Sequence, residues 1–518
     1  MALVPETDST LRRRTFVNTL SNVGGTAFTL VIGFVLTPFV LHRVGATDYG
    51  LWMLALSLVG YGALLDFGVA NAVTKYVAAY RRHDDLDRLR GVVATGLAVF
   101  LAAGAVVIVA SIVLAVALPS LFQIPAGKEA TARWLVILAG IGVAVSLPTA
   151  TTLAVLRGLQ RFDLVNAVSV LGTALYAAAV VAILELGGGV VEIVAANVPL
   201  QLAMQMPMVL AIRRSAPDLK LGLRGASREH GRAVASFGMA QFVIAVSAQA
   251  RVRAPEAVIG AVSPAARVTA YSIARRLGEM SGALSDQFVS VLMPLASSLD
   301  AGNERPRLRT VQIASTRVAV AITLLAGLPV VVLAGPFLAA WVGPEYAGNA
   351  KLVWILVGAG VAAAIGWPSG AILTGMGRNR MLALFTASSA LLSIGLTIAL
   401  IGPLGLTGAA LGVLIGAAAE TFGLAVPYSL RVTGTPLRRF VALAVAPAMV
   451  PAVPSLALIL FLREAFDPAS FFAIAGIALI GAAAYAACYL SLPWTRPEQE
   501  PVRALVSRYV RPGWVQSG

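Results

Sequence analysis

Apolar residues fill this chain in long runs, separated by short gaps of charged and glycine-rich sequence. A helix needs about 20 mostly apolar residues to cross a bilayer's hydrocarbon core. Fourteen segments meet that length, near 16–41, 51–79, 91–118, 134–156, 164–185, 190–211, 234–258, 270–296, 311–340, 352–374, 381–402, 405–430, 440–462 and 470–492. The pattern predicts an all-α polytopic membrane protein with about 14 transmembrane helices. The gaps are short, and none could house a soluble catalytic domain.

Composition agrees with that class. Of 518 residues, 58% are hydrophobic and 12% charged, against about 25% charged in a soluble domain. The net charge of +15 would suggest nucleic acid in a soluble protein. Here the basic residues lie in the gaps, so no nucleic-acid partner is expected. Gaps on the side of the N-terminus hold about 27 Lys and Arg and the opposite gaps about 6. Cytoplasmic loops carry such an excess, so both termini are expected in the cytoplasm of a multi-pass protein of the inner membrane. Arg12, Arg13 and Arg14 precede a first apolar run too long for a signal-peptide core, which reads as an uncleaved span. Cys488 is the single cysteine, and His42, His83 and His230 are scattered, so no disulfide or metal site is expected. No GxxxxGK[ST] motif is present, and no cofactor is called for.

The pentapeptide GALLD at 62–66 returns as GALSD at 282–286. That offset lays the first span on the seventh and the second on the eighth. It predicts a cytoplasmic segment 1–15, a six-helix lobe 16–211, a basic linker 212–233, a second six-helix lobe 234–430, two additional helices within 431–492, and a cytoplasmic tail 493–518. Transporters built from repeats bind near the midplane at the repeat interface.

Charges inside the spans are the candidate chemistry. The stretch 251–286 carries Arg251, Arg253, Glu256, Arg267, Arg275, Arg276, Glu279 and Asp286 between apolar flanks. An arginine at the bilayer centre costs about 2.5–3.5 kcal/mol on the lenient insertion scale, so such groups face a bundle interior or wet cavity. Arg251, Arg253, Arg275 and Arg276 are therefore candidate anion ligands, because a guanidinium fork donates two bonds at once to phosphate. Two plainer readings stand beside this one: Arg251 and Arg253 snorkel from a helix end, and Arg275 and Glu279, at i and i+4, neutralise each other. Span seven reads as broken, since its apolar run stops at Arg251 and Pro255 removes a backbone donor. Gly282 shares the stripe of Arg275, Glu279 and Asp286 and would admit a ligand or a backbone. Asp66, Asn71 and Lys75 of span two, with Glu256, Glu279, Asp286 and Glu420, are candidate pathway or coupling residues.

Span two and its approach read VGATDYGLWMLALSLVGYGALLDFGVANAVTKYVAAY (44–80). With G-x-x-x-Y-G-x-W, L-D-F-G and K-Y, this resembles the Wzx-type oligosaccharide and polysaccharide flippases of the multidrug/oligosaccharidyl-lipid/polysaccharide (MOP) exporter superfamily. VTAYSIARRLGEMSGALSD (268–286) fits the same pattern. The resemblance implies a two-lobed, MATE/MOP-like bundle that alternates between inward- and outward-open states. It implies no enzyme and no catalytic residue. The substrate it implies is a saccharide on polyprenyl diphosphate, moved from the inner to the outer leaflet for cell-surface polysaccharide biosynthesis. The partners are then that lipid-linked saccharide, membrane lipids and polysaccharide-assembly enzymes. The family often carries an acid in span seven; here Glu256 stands nearest, beside Arg251 and Arg253. An inside-negative potential of roughly 100 mV gives two outward-moving negative charges about 4–5 kcal/mol, so proton or sodium coupling is admitted but not required. Two rivals remain: a cation-coupled multidrug exporter of the same superfamily, which needs chamber acids, and a membrane-embedded polysaccharide polymerase or ligase, which needs a long outer loop with acids or histidine.

Overall fold

The computed structural model describes residues 8–493, except 63–68, 71–72, 75, 78–85, 160, 220–221, 224, 226–227 and 291. Helices make up nearly all of the described chain, and no strand occurs among the described residues. The principal helices are α1 (Asp8–Val59), α2 (Leu86–Leu121), α3 (Glu129–Gly158), α4 (Phe162–Glu185), α5 (Val190–Ser215), α6 (Arg228–Val262) and α7 (Ala265–Ser290). They continue with α8 (Leu292–Ala301), α9 (Arg305–Val332), α10 (Ala334–Val342), α11 (Ala350–Gly375) and α12 (Asn379–Leu404). Last come α13 (Leu406–Thr433), α14 (Leu437–Phe466) and α15 (Phe471–Ser491). Ten described helices are long and apolar enough to cross a membrane, and they match the third to sixth and ninth to fourteenth predicted spans. The first predicted span lies within α1, and the seventh and eighth fall on the charge-bearing α6 and α7.

Two differences from the sequence reading are local. The gap between the first two predicted spans is helical rather than a loop: two helical stretches meet in α1 at a kink on Gly45, whose φ of 81° favours a residue without a Cβ. Span seven is not broken either, since α6 runs through Pro255 to Val262. Proline withdraws one donor, normally aimed at the carbonyl four residues back on Arg251. Membrane helices tolerate that loss where neighbours re-satisfy the freed group.

Contacts divide the chain into two units, Met1–Ser272 with Thr386–Ala409, and Ile273–Phe385 with Ala410–Gly518. This division cuts α7, α12 and α13, and it does not test the lobes expected from span order. In the first unit α2 lies along α3, and α3 along α5, around a core of Phe100, Leu135, Leu147, Val155 and Ile212. Small residues let the first pair close up. A Cβ on Gly140 would stand 2.2 Å from Ser111 Oγ, and one on Gly104 3.0 Å from the Ala144 carbonyl oxygen. Lipid tails are as apolar as leucine, so tight packing of this kind holds membrane helices together where the hydrophobic effect does not. The outer face of α2 carries Val106, Val109, Val113 and Val116, exposed at i, i+3, i+7 and i+10 as a lipid-facing stripe.

In the second unit α9 packs against α11 on one side and against α14 and α15 on another. Phe440, Ala444, Ala448, Tyr485 and Val320 form part of that core. The last two helices are tied to each other by Ser455 Oγ donating to the Gly481 carbonyl at 2.9 Å. Arg463 reaches across to donate to the Val332 carbonyl at 3.0 Å. The end of α13 is closed by Gly434, in the left-handed region at φ 70°. Arg305 and Arg309 donate to the carbonyls of Val432 and Thr433 at 3.1 and 2.6 Å. Cations at a helix C-terminus meet both its orphan carbonyls and its dipole.

Candidate functional site

In the first unit the candidate residues stand on α6. Gln249, Arg253 and Glu256, spaced i, i+4 and i+7, share one face. That face lies against the tight turn at Gly60, where an added Cβ would come within 3.7 Å of Arg253 Nε and 3.9 Å of Gln249 Nε2. Arg253 is half-buried, and its Nε is buried with no hydrogen-bond partner among the described residues. Glu256 is fully buried, three residues on. Arg251 points to a different neighbour, donating from Nη1 to Ser389 Oγ at 3.2 Å on α12. Ser389 is 1% exposed, so Arg251 is turned into protein. The snorkelling reading of Arg251 gains nothing from this arrangement.

In the second unit the candidates stand on α7. Arg275 and Glu279 form an ion pair, with side chains 14% and 50% exposed. The pairing that the spacing allowed is thus present. Arg276 is half-buried, and among the described residues no side-chain hydrogen bond or ion pair engages it. Asp286 is exposed, while Ser285 beside it is buried and donates to the Ala319 carbonyl at 2.8 Å. Gly282 is filled by packing: its Cβ would stand 2.9 Å from the Trp367 ring on α11. Glu420 is half-buried and sits in a π-helical turn, Ala419–Ala425, against which Gly366 packs so closely that a Cβ would meet Thr421 Oγ1 at 2.6 Å. Asp66, Asn71 and Lys75 lie outside the described residues. The candidates therefore form two sets, one in each unit.

Several polar groups went unnoticed in the sequence. Gln312 on α9 is fully buried and uses both ends of its amide. Its Nε2 donates to Ser369 and Ser429 at 3.2 and 2.8 Å, and its Oε1 accepts from Thr433 and Thr435 at 2.9 and 3.4 Å. Arg317, one and a half turns further along α9, is 6% exposed and donates to the Leu443 carbonyl at 3.2 Å. Leu443 lies in a second π turn, Val441–Val445, where the regular ladder is interrupted. Sequence alone could flag Arg317 as an intramembrane charge but not its partner, which is a backbone atom. A third group is uncharged and lies in the first unit. Asn197, Gln201 and Gln205 follow at i, i+4 and i+8 along α5. Gln205 bonds Thr149 and Thr152 of α3, Gln201 bonds Asn197, and Tyr176 of α4 lies beside Asn197.

Residues 40–350 match the family model described as polysaccharide biosynthesis protein. No curated protein matches the sequence. Among solved structures, the chain resembles the lipid II flippase MurJ in an inward closed conformation, with TM-score 0.70 and 14% identity over 93% of this chain and 100% of that one. It also resembles an inward-facing multidrug resistance MATE family transporter of the MOP superfamily, with TM-score 0.67 and 16% identity over 79% and 94%. A MOP superfamily transporter from Pyrococcus furiosus, described as having reversed binding-pocket polarity, follows with TM-score 0.56 and 16% identity over 81% and 95%. The family match spans more than half the chain, and the chain belongs to the polysaccharide biosynthesis protein family, a multi-pass membrane protein built on the MOP-superfamily fold.

Proposed function

We propose that the protein flips a polyprenyl-diphosphate-linked saccharide from the inner to the outer leaflet of the cytoplasmic membrane, with both termini in the cytoplasm. The observation that carries this reading is Arg253. Its guanidinium is half-buried beside Gly60, and the buried Nε has no acceptor among the described residues. A donor buried without a partner costs about 1–3 kcal/mol, a penalty that an arriving phosphate oxygen removes. Arg276 offers a second uncommitted guanidinium on α7, whereas Arg275 is already held by Glu279. A diphosphate in hydrocarbon is prohibitively unsolvated, and fixed cations replace part of its hydration. The polyprenyl tail stays in lipid. The membrane potential favours outward movement of the anion, and proton or sodium coupling through Glu256 is compatible with it.

The cation-coupled multidrug exporter draws on one observation, the fully buried Glu256. That carboxylate lies three residues from Arg253, and its field is opposed there by the guanidinium. A membrane-embedded polymerase or ligase calls for a long outer loop with acids or histidine, and the gaps of this sequence are short. The deciding experiment is flipping of a fluorescent polyprenyl-diphosphate sugar in reconstituted vesicles. Arg253→Ala and Arg276→Ala should each slow transport about tenfold or more, the equivalent of about 1.4 kcal/mol. Arg275→Ala should have a smaller effect. Wild-type rates in both of the first two variants would end the anion-site reading.

A further inference from the structure

The inward face of α5 changes character along its length. Val190, Val194, Met208 and Ile212 lie on one seam, and each is 0–5% exposed. Asn197, Gln201 and Gln205 continue the same seam at its middle. With about 100° per residue, all seven positions fall within about 40° of Gln201. The three amides are nevertheless only partly buried. Lipid is not what they meet, because Leu202, Met206 and Leu210, which are 55%, 69% and 44% exposed, lie about 100–180° round the helix. The seam thus opens in its centre, where it turns polar, on the side away from lipid. Thr149 and Thr152 from α3 and Tyr176 from α4 border the opening.

Glue between helices accounts for only part of this. Gln205 does bridge α5 to α3 through Thr149 and Thr152. Gln201, however, bonds Asn197 one turn back on its own helix, which holds no helices together. A primary amide offers two donors and two lone pairs, and Gln201 makes one hydrogen bond among the described residues. Spare donors and acceptors on a rigid, uncharged stripe suit hydroxyl groups, each of which is donor and acceptor at once. The seam has no charge for a phosphate to meet and no acid for a cationic drug.

We infer that the Asn197–Gln201–Gln205 stripe of α5, with Thr149, Thr152 and Tyr176, is a carbohydrate subsite that binds the sugar hydroxyls of the substrate. It rests on the lipid-linked saccharide reading and deepens it by separating recognition of the glycan from recognition of the diphosphate. The arginines hold what every such lipid shares, and the amides discriminate by the sugar carried.

The test measures binding to the purified full-length protein in nanodiscs, using two probes: polyprenyl diphosphate bearing a neutral disaccharide, and bare polyprenyl diphosphate. Wild type should bind the glycosylated lipid more tightly. Gln201→Met, which keeps side-chain length and helix propensity, should weaken that binding about tenfold and leave the bare lipid unchanged. Gln205→Met should behave alike, and unaltered bare-lipid binding reports that each variant is folded. Equal affinity of wild type for the two probes, or Met variants that bind the glycosylated lipid as wild type does, would overturn the subsite while the diphosphate reading stands. A wild type that binds neither probe would overturn the lipid-linked reading and the subsite together.

Discussion

At the scale of single residues, the polar groups divide by whether the protein itself answers them. Gln312 is answered fourfold, and nothing of its amide is left for a ligand. Its role is structural, and Gln312→Leu should be strongly destabilising. It would take an acceptor from Thr433 and Thr435, which keep their bond to each other at 2.9 Å, and a donor from Ser369 and Ser429, in a buried cluster where each group left unpaired costs about 1–3 kcal/mol. Ser369→Ala removes one of these bonds, so it should lower the thermal midpoint in detergent much less. A midpoint equal in the two variants would show that the four bonds do not act as a set. Arg317 belongs to the same class. Its donation to the Leu443 carbonyl compensates a π turn, so Arg317→Met should reduce thermal stability and leave binding of bare polyprenyl diphosphate at wild-type strength. Arg253 is the contrasting case: its buried Nε is unanswered among the described residues, and that is why it is assigned to substrate.

At the scale of elements, close helix packing rests on missing side chains. Where α2 crosses α3, Gly140 leaves room that Ser111 occupies, with 2.2 Å to the position of a Cβ. Gly140→Ala forces the helices apart or displaces the hydroxyl, an overpacking change of about 1–3 kcal/mol. Adding Ser111→Gly should recover much of that loss, and a double-mutant cycle on thermal midpoints reads the coupling. Additive effects would mean that the two helices are looser there than the distance implies. The spans themselves were legible, because about twenty apolar residues in a row leave few alternatives, and ten described helices bear them out. The break expected in span seven was misread. Arg251 and Pro255 suggested an interruption, yet proline costs one bond and the arginine turns to Ser389, so α6 continues. The π turns were invisible, since no residue type marks them. The amide stripe on α5 is readable as i, i+4 and i+8, but uncharged amides inside a span carry no cost large enough to mark them. The spacing of Arg275 and Glu279 showed that they could pair, and only the coordinates show that they do.

At the scale of the whole molecule, the way the chain sits in the membrane decides which leaflet each end of its helices meets. The fold is indifferent to that choice, because helices reversed in a bilayer keep their internal bonds. The charge asymmetry of the gaps is what sets it. The orientation can be tested with little disturbance because Cys488 is the single cysteine and lies half-buried in α15. In a Cys488→Ser background, Gln123→Cys places a thiol at an exposed position between α2 and α3, and Ala301→Cys places one at the exposed end of α8. The excess of arginine beside residue 301, at Arg305, Arg307 and Arg309, assigns that end to the cytoplasm, and residue 123 then lies outside. A membrane-impermeant maleimide should label the Gln123→Cys variant in intact cells and the Ala301→Cys variant only after permeabilisation. The reverse pattern would turn every span over and end the expectation that both termini lie in the cytoplasm.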